Sequence, residues 1–217
     1  LLSPGDLYTI EQIPELIDCG VACVKIEGRY KDADYVAMTT AAYRQAIDQY
    51  YDDSTTPEPS AHPAWSQQDL EQIYSRGLGP HFMAGTNHQD VVKARAPRHR
   101  GRKLAQVVEV GNSFVVVRGE PINRGDGLVL DAANWRSPDE PEEGGNVYEV
   151  NQQADGNQRL EFGFDQIDFS RIRVGDWVWR TKDPQLSRRL RRLTQPSRPV
   201  HTQPIHLSVR AIVGQPL

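Results

Sequence analysis

The chain has 217 residues, 38% apolar and 25% charged, the composition of one or two globular domains with room for a core. Its formal net charge is −4, so any basic surface must be local, and no apolar run approaches the length of a membrane span. Leu1-Leu2-Ser3 enters as the end of a strand, without initiator methionine or signal peptide, so the chain reads as an internal piece of a longer protein. Ser3, Pro4 and Asp6 supply an N-cap, a first-turn proline and an acid, and Thr9 with Gln12 repeats the capping pattern. Ile13 to Gly20 predicts a helix closed by its glycine. Val24-Lys25-Ile26-Glu27 predicts a short strand ending in Gly28-Arg29, and Tyr35 to Tyr50 predicts a second, amphipathic helix.

Helix, strand, polar strand end and helix make up the repeating unit of a parallel α/β barrel, whose chemistry sits at the C-terminal strand ends. Lys25 and Glu27 are two apart and share one face of the predicted strand. They are candidate catalytic residues, Glu27 as a general base or as a group that binds a cofactor oxygen. Their plainer role is an ion pair with each other. Arg29 is suited to grip a phosphate or carboxylate through two parallel hydrogen bonds, or to pair with Asp32 or Asp34. Cys19 and Cys23 are divided by Gly20 and read as small buried hydrophobes in a reducing cytosol. Two cysteines cannot hold a four-thiolate iron–sulfur cluster.

Residues 54–64 are a linker by composition, and Trp65 to Ile73 predicts a short helix capped by Ser66. Strands dominate from Lys103. Leu104–Val110 and Ser113–Val117 flank Gly111-Asn112 as a hairpin. Gly125-Asp126-Gly127-Leu128-Val129-Leu130 and Gly175-Asp176-Trp177-Val178-Trp179-Arg180 are near copies of one another. With the segments 145–150 and 159–164 they predict six short strands closing a small antiparallel barrel. The Gly-Asp entry turns resemble those of the barrel in translation elongation factors. Asp183-Pro184 opens a helix, and 206–214 alternates like a strand. Lys93, Arg95, Arg98, His99, Arg100, Arg102 and Lys103 form one basic run, and Arg188, Arg189, Arg191 and Arg192 a second. Both suit phosphate, or else are solvated faces with local ion pairs, and no aromatic interrupts them to signal base stacking. His81, His88 and His99 lack metal-ligand spacing.

Several motifs together resemble the collagenase-like peptidase family of unknown catalytic type. They are Ser3-Pro4-Gly5-Asp6-Leu7, Ile13-Pro14-Glu15-Leu16-Ile17, Val24-Lys25-Ile26-Glu27-Gly28-Arg29 and Tyr35-Val36-Ala37. Tyr74-Ser75-Arg76-Gly77-Leu78, Asn87-His88-Gln89 and Arg98-His99-Arg100-Gly101 look like the collagenase-associated domain that follows the family's barrel. The resemblance implies a mixed α+β fold, with a terminal β/α segment of a TIM-like barrel before the small antiparallel β-barrel. The implied divisions are 1–53 for the incomplete α/β barrel, 54–95 for the linker and helix, 96–195 for the β-barrel, and 196–217 for the start of a further, truncated domain. It implies a cytoplasmic parent that hydroxylates RNA bases, or alternatively a genuine peptidase, and the clustered charge makes Arg98, Arg100 and Arg102, with Arg29, the candidate substrate-binding residues. The implied partners are the rest of the parent chain and RNA, with no membrane. No cofactor is expected in this piece, and any iron–sulfur cluster would be held by cysteines preceding it. Residues 1–52 are expected to be covered by the β-barrel or by a partner chain.

Overall fold

The computed structural model describes residues 4–52, 64–85, 91, 99, 101–131, 141–198, 203–209 and 211–214. A parallel two-stranded pair joins β1 (Asp6–Leu7) to β2 (Leu78–Gly79). Between them run α1 (Ile13–Asp18), α2 (Ala33–Tyr51) and α3 (Gln67–Ile73). A closed antiparallel barrel follows, built from β3 (Arg102–Val110), β4 (Phe114–Gly119), β5 (Gly127–Asp131), β6 (Glu143–Gln152), β7 (Gln158–Phe162) and β8 (Trp177–Lys182). Its strand order is β3-β4-β7-β6-β5-β8, closing on β3. Helix α4 (Pro184–Thr194) follows the barrel.

Local chemistry sets the boundaries of these elements. At the end of α1, Gly20 takes φ of 80° and its amide donates to Ile17, while the Val21 amide reaches back to Leu16 at 3.0 Å. This paired closure needs a residue at ease in the left-handed region. Asp32 caps α2, accepting from the Tyr35 amide at 2.8 Å. Ser66 and Asp69 form a reciprocal capping box on α3. Asp183 caps α4, accepting from the Gln185 and Leu186 amides, and Pro184 occupies the first turn, where its missing N–H costs nothing.

Alternate residues of the strands fill the barrel: Val107, Val115, Val117, Leu128, Leu130, Leu160 and Val178 are all at most 1% exposed. Register shifts in β3, β5 and β6 supply the local bends that a six-stranded closure requires. The two Gly-Asp turns are structural copies. The Gly125 amide donates to Val147 and the Gly175 amide to Val107, and those two valines return the bond to Asp126 and Asp176. In each turn an aspartate Oδ2 accepts the amide three residues back, Asn123 at 3.0 Å and Arg173 at 2.9 Å. The sequence similarity of the two turns therefore reflects one repeated device for starting a strand.

A second core lies outside the barrel. Met38 and Ala42 of α2, Leu70 of α3, and Leu186 and Leu190 of α4 are buried together, with Tyr8, Ile10, Trp65, Ile73, Leu78 and Leu193 around them. Helix α2 is thus covered largely by α3 and α4. Helix α4 leaves the barrel core and joins this one.

Four local expectations differ from the structure. Residues 21–28 form no strand, and Val21 and Val24 are 43% and 39% exposed; an apolar strand edge without neighbouring strands has no ladder to join. Cys19 and Cys23 are both exposed, because they lie at the open end of α1 and on that unpaired segment. Thr9 makes no side-chain cap: its amide and hydroxyl engage the Tyr43 hydroxyl at 3.0 and 3.2 Å, tying the chain to α2. Residues 203–209 form no strand, and Leu207 and Val209 stand in solvent. Ser3 lies outside the described residues.

Candidate substrate-facing site

The β1–β2 seam is fixed by glycine and by an ion pair. A Cβ on Gly5 would lie 2.6 Å from the Gly77 carbonyl oxygen, so only glycine allows the two strands to approach. Asp6 accepts the Arg76 amide at 2.7 Å and its Nε and Nη2 at 3.1 and 2.6 Å, a fork geometry specific to arginine. Gly5-Asp6-Leu7 and Arg76-Gly77-Leu78, each from one of the quoted motifs, therefore meet at this seam.

The loop leading into α2 closes on the same region. Lys31 Nζ lies 2.9 Å from the centroid of the Tyr74 ring, and Tyr35 packs edge-on against Tyr74 at 5.9 Å. His99 stacks on Tyr74 with centroids 5.2 Å apart. Its Nδ1 faces the amides of Ser75 at 2.9 Å and Gly101 at 3.3 Å. Both are donors and favour this nitrogen as an acceptor, while the Ser75 carbonyl oxygen 3.2 Å away would take a proton from it. Burial holds the His99 pKa below its ordinary value, and neighbouring Lys31 adds to this, against an opposing pull from the Ser75 carbonyl.

The candidate catalytic residues lie just upstream. The Arg29 amide donates to Glu27 Oε1 at 3.2 Å, which bends the chain sharply. The Arg29 guanidinium lies over the Tyr30 ring at 4.9 Å, and its Nη2 reaches the tyrosine hydroxyl at 3.1 Å. Tyr30 is 90% exposed with φ of 62°. Glu27 and Arg29 are thus brought together, whereas Lys25 is exposed and forms no ion pair or hydrogen bond with another described residue. The pairings of Arg29 with Asp32 or Asp34 are not formed. Tyr35 and Tyr74 stand in motifs of the family resemblance, but their meeting with each other and with Lys31 could not be read from the sequence, because Tyr74 comes from a distant segment.

Of the basic run, Arg98 and Arg100 lie outside the described residues, as does His88. Arg102 is engaged already, with Nη2 at 2.6 and 2.5 Å from the two Glu120 oxygens. On the barrel the fold places cations over aromatic rings that the linear sequence kept apart. Lys103 lies over Trp177 at 4.0 Å, Arg124 over Tyr148 at 5.3 Å and Arg159 over Phe114 at 3.8 Å. The two cysteines cannot supply the four thiolates of an iron–sulfur cluster. Among the described residues no group of three or more metal-ligating side chains converges.

Residues 1–93 match Peptidase family U32. That match covers 93 of the 217 residues. The chain is 37% identical over 113 residues to an uncharacterized protease of Methanocaldococcus jannaschii, covering 50% of this chain and 26% of that protein. It is 33% identical over 132 residues to the 23S rRNA 5-hydroxycytidine synthase of Escherichia coli, covering 59% and 20%. It is 38% identical over 85 residues to a tRNA hydroxylation protein of Bacillus subtilis, covering 39% and 19%. The chain therefore spans about a quarter or less of the length of these curated relatives. An alignment over 59% of the chain is too long to fit within residues 1–93, so the likeness to the rRNA enzyme reaches beyond the family match. No solved structure matches significantly. Among the described residues no helix is long and apolar enough to cross a membrane.

Proposed function

We propose that this chain is part of a cytoplasmic RNA-modifying enzyme that hydroxylates a base, with the six-stranded barrel docking the substrate. The observation that carries this reading is the cationic and aromatic cluster beside the Glu27–Arg29 turn: Lys31 on Tyr74, His99 on the same ring, and Arg29 on an exposed Tyr30. Cations and π-faces in one place suit a polyanion carrying flat bases. Similarity to an rRNA hydroxycytidine synthase and a tRNA hydroxylation protein supports the same reading.

In the whole enzyme, residues 21–28 would form a strand of a TIM-type barrel, with their exposed apolar residues covered by its other strands. The charged end would then lie on the rim, where such barrels carry their chemistry. Arg29 would hold a substrate oxyanion, and Glu27 would orient Arg29 and exchange protons with substrate. Lys25 would lie on the Glu27 face and supply a second positive charge. An iron–sulfur cluster, if the whole enzyme carries one, would be held by cysteines outside this chain. The alternative, a peptidase, takes support from the relative described as a protease.

The two readings separate cleanly in the full-length enzyme. Arg29→Ala and Glu27→Gln should each abolish formation of the hydroxylated nucleoside measured by mass spectrometry of cellular RNA. Cleavage of denatured collagen by the purified enzyme, lost in the same two variants and accompanied by unchanged RNA, would establish the peptidase instead.

A further inference from the structure

Helix α4 carries the densest unpaired positive charge among the described residues. Between Pro184 and Arg198 there are five arginines and no acid. Arg189 is engaged, lying over the Trp65 ring at 4.6 Å and pairing with Asp69 at 3.1 Å. Arg188, Arg191, Arg192 and Arg198 are exposed, and none forms an ion pair with a described residue. Arg188 donates only to the Pro184 carbonyl of its own helix.

At 100° per residue, Arg188, Arg191 and Arg192 fall within roughly one third of the helix circumference. Arg188 and Arg192 stand about 6 Å apart along the axis at 1.5 Å per residue. Leu186, Leu190 and Leu193 occupy the opposite side and are packed against α2 and α3. The helix is therefore held by its apolar face, while its guanidinium face forms no ion pair with the described residues.

We infer that this guanidinium face is a docking surface for the phosphate backbone of RNA. The inference rests on the RNA reading above and moves the contact from Arg102, which Glu120 occupies, to α4. A membrane surface is disfavoured because an interfacial helix must insert its apolar face, and here that face is buried in the second core. Pairing of the last-turn arginines with the helix dipole would account for Arg191 and Arg192, but not for Arg188, one turn earlier, or Arg198, beyond the helix end.

The test measures binding of the 217-residue chain to a fluorescent single-stranded RNA across a salt series, with sodium polyglutamate and anionic phospholipid vesicles as competing probes. The wild type should bind RNA with a steep salt dependence. Arg188→Ala/Arg191→Ala/Arg192→Ala should bind at least about tenfold more weakly at low salt. Its slope of log affinity against log salt should flatten by about 2, since each lost phosphate contact removes roughly 0.7. Circular dichroism and a thermal melt should match the wild type, and the triple lysine variant should recover most of the binding. If the wild type binds RNA and the alanine variant binds equally well, the α4 inference fails while the RNA reading stands. If the wild type binds no RNA, both fail. Equal capture by polyglutamate, or preference for the vesicles, overturns the inference. If the alanine variant unfolds, the lysine variant decides: full binding supports the docking surface, and loss of binding with a native melt overturns it.

Discussion

His99 shows how one side chain can make the junction between the two cores sensitive to pH. Two backbone amides point at its Nδ1, its ring is stacked on Tyr74, and Lys31 sits on the other partner of that stack. Protonation would set a hydrogen on Nδ1 against these two donors, with the Ser75 carbonyl at 3.2 Å as its acceptor, and would place charge in a half-buried position near Lys31. Because the folded pKa lies below the unfolded value near 6.5, the unfolded chain takes up the proton first as pH falls. Stability should be full above about pH 6.5 and should decline as pH drops from there through the folded value. Urea melts between pH 7.5 and 5 check this. His99→Phe should cost about 1–2 kcal/mol at neutral pH, from the two unmet amides, yet flatten the slope in that window. An unchanged slope in the variant would assign the effect to another group. Gly101 sits beside this histidine with φ of 73°, and an added Cβ would lie 1.8 Å from the Arg180 carbonyl oxygen. Gly101→Ala should therefore destabilise the barrel by at least about 2 kcal/mol in the same melts. A smaller loss would mean that β8 can move aside.

Among the elements, α4 couples the two cores, because it emerges directly from the barrel yet buries Leu186 and Leu190 against α2 and α3. The joint is reinforced at Arg180, which lies 3.5 Å from Asp126 and 3.1 Å from Asp183, while its Nε donates to Gln72 at 2.8 Å. Gln72 returns a bond to the Arg180 carbonyl at 2.7 Å. Leu190→Ala opens a cavity at a fully buried position and should cost about 2–5 kcal/mol. Hydrogen exchange should then accelerate together in α2, α3 and α4, while β3, β4 and β7 keep their protection. Uniform acceleration across the barrel would show that the two cores unfold as one unit.

Across the whole molecule, what could be read from the sequence follows the range of the interactions involved. The barrel strands were legible because alternation and Gly-Asp turns are local signals: Val115 and Val117 point inward simply because they lie two apart in β4. The cap at Ser66 and the helix opened by Asp183-Pro184 were legible for the same reason. The pattern around Val24 was legible as a strand, but a strand exists only with neighbours to pair with, and residues 21–28 have none here. The stack of Lys31, Tyr74 and His99 was hidden because each residue comes from a different segment. So was the engagement of Arg102, since Glu120 reaches it only through the pairing of β3 with β4. The basic run is consequently less informative than α4, whose charges lie within a single helix. Nucleoside mass spectrometry of ribosomal and transfer RNA from cells lacking the parent gene puts the proposed RNA-base hydroxylation to the test. One hydroxylated pyrimidine should disappear, and it should return with the wild-type gene and not with Arg29→Ala. Identical nucleoside profiles with and without the gene would contradict the proposal.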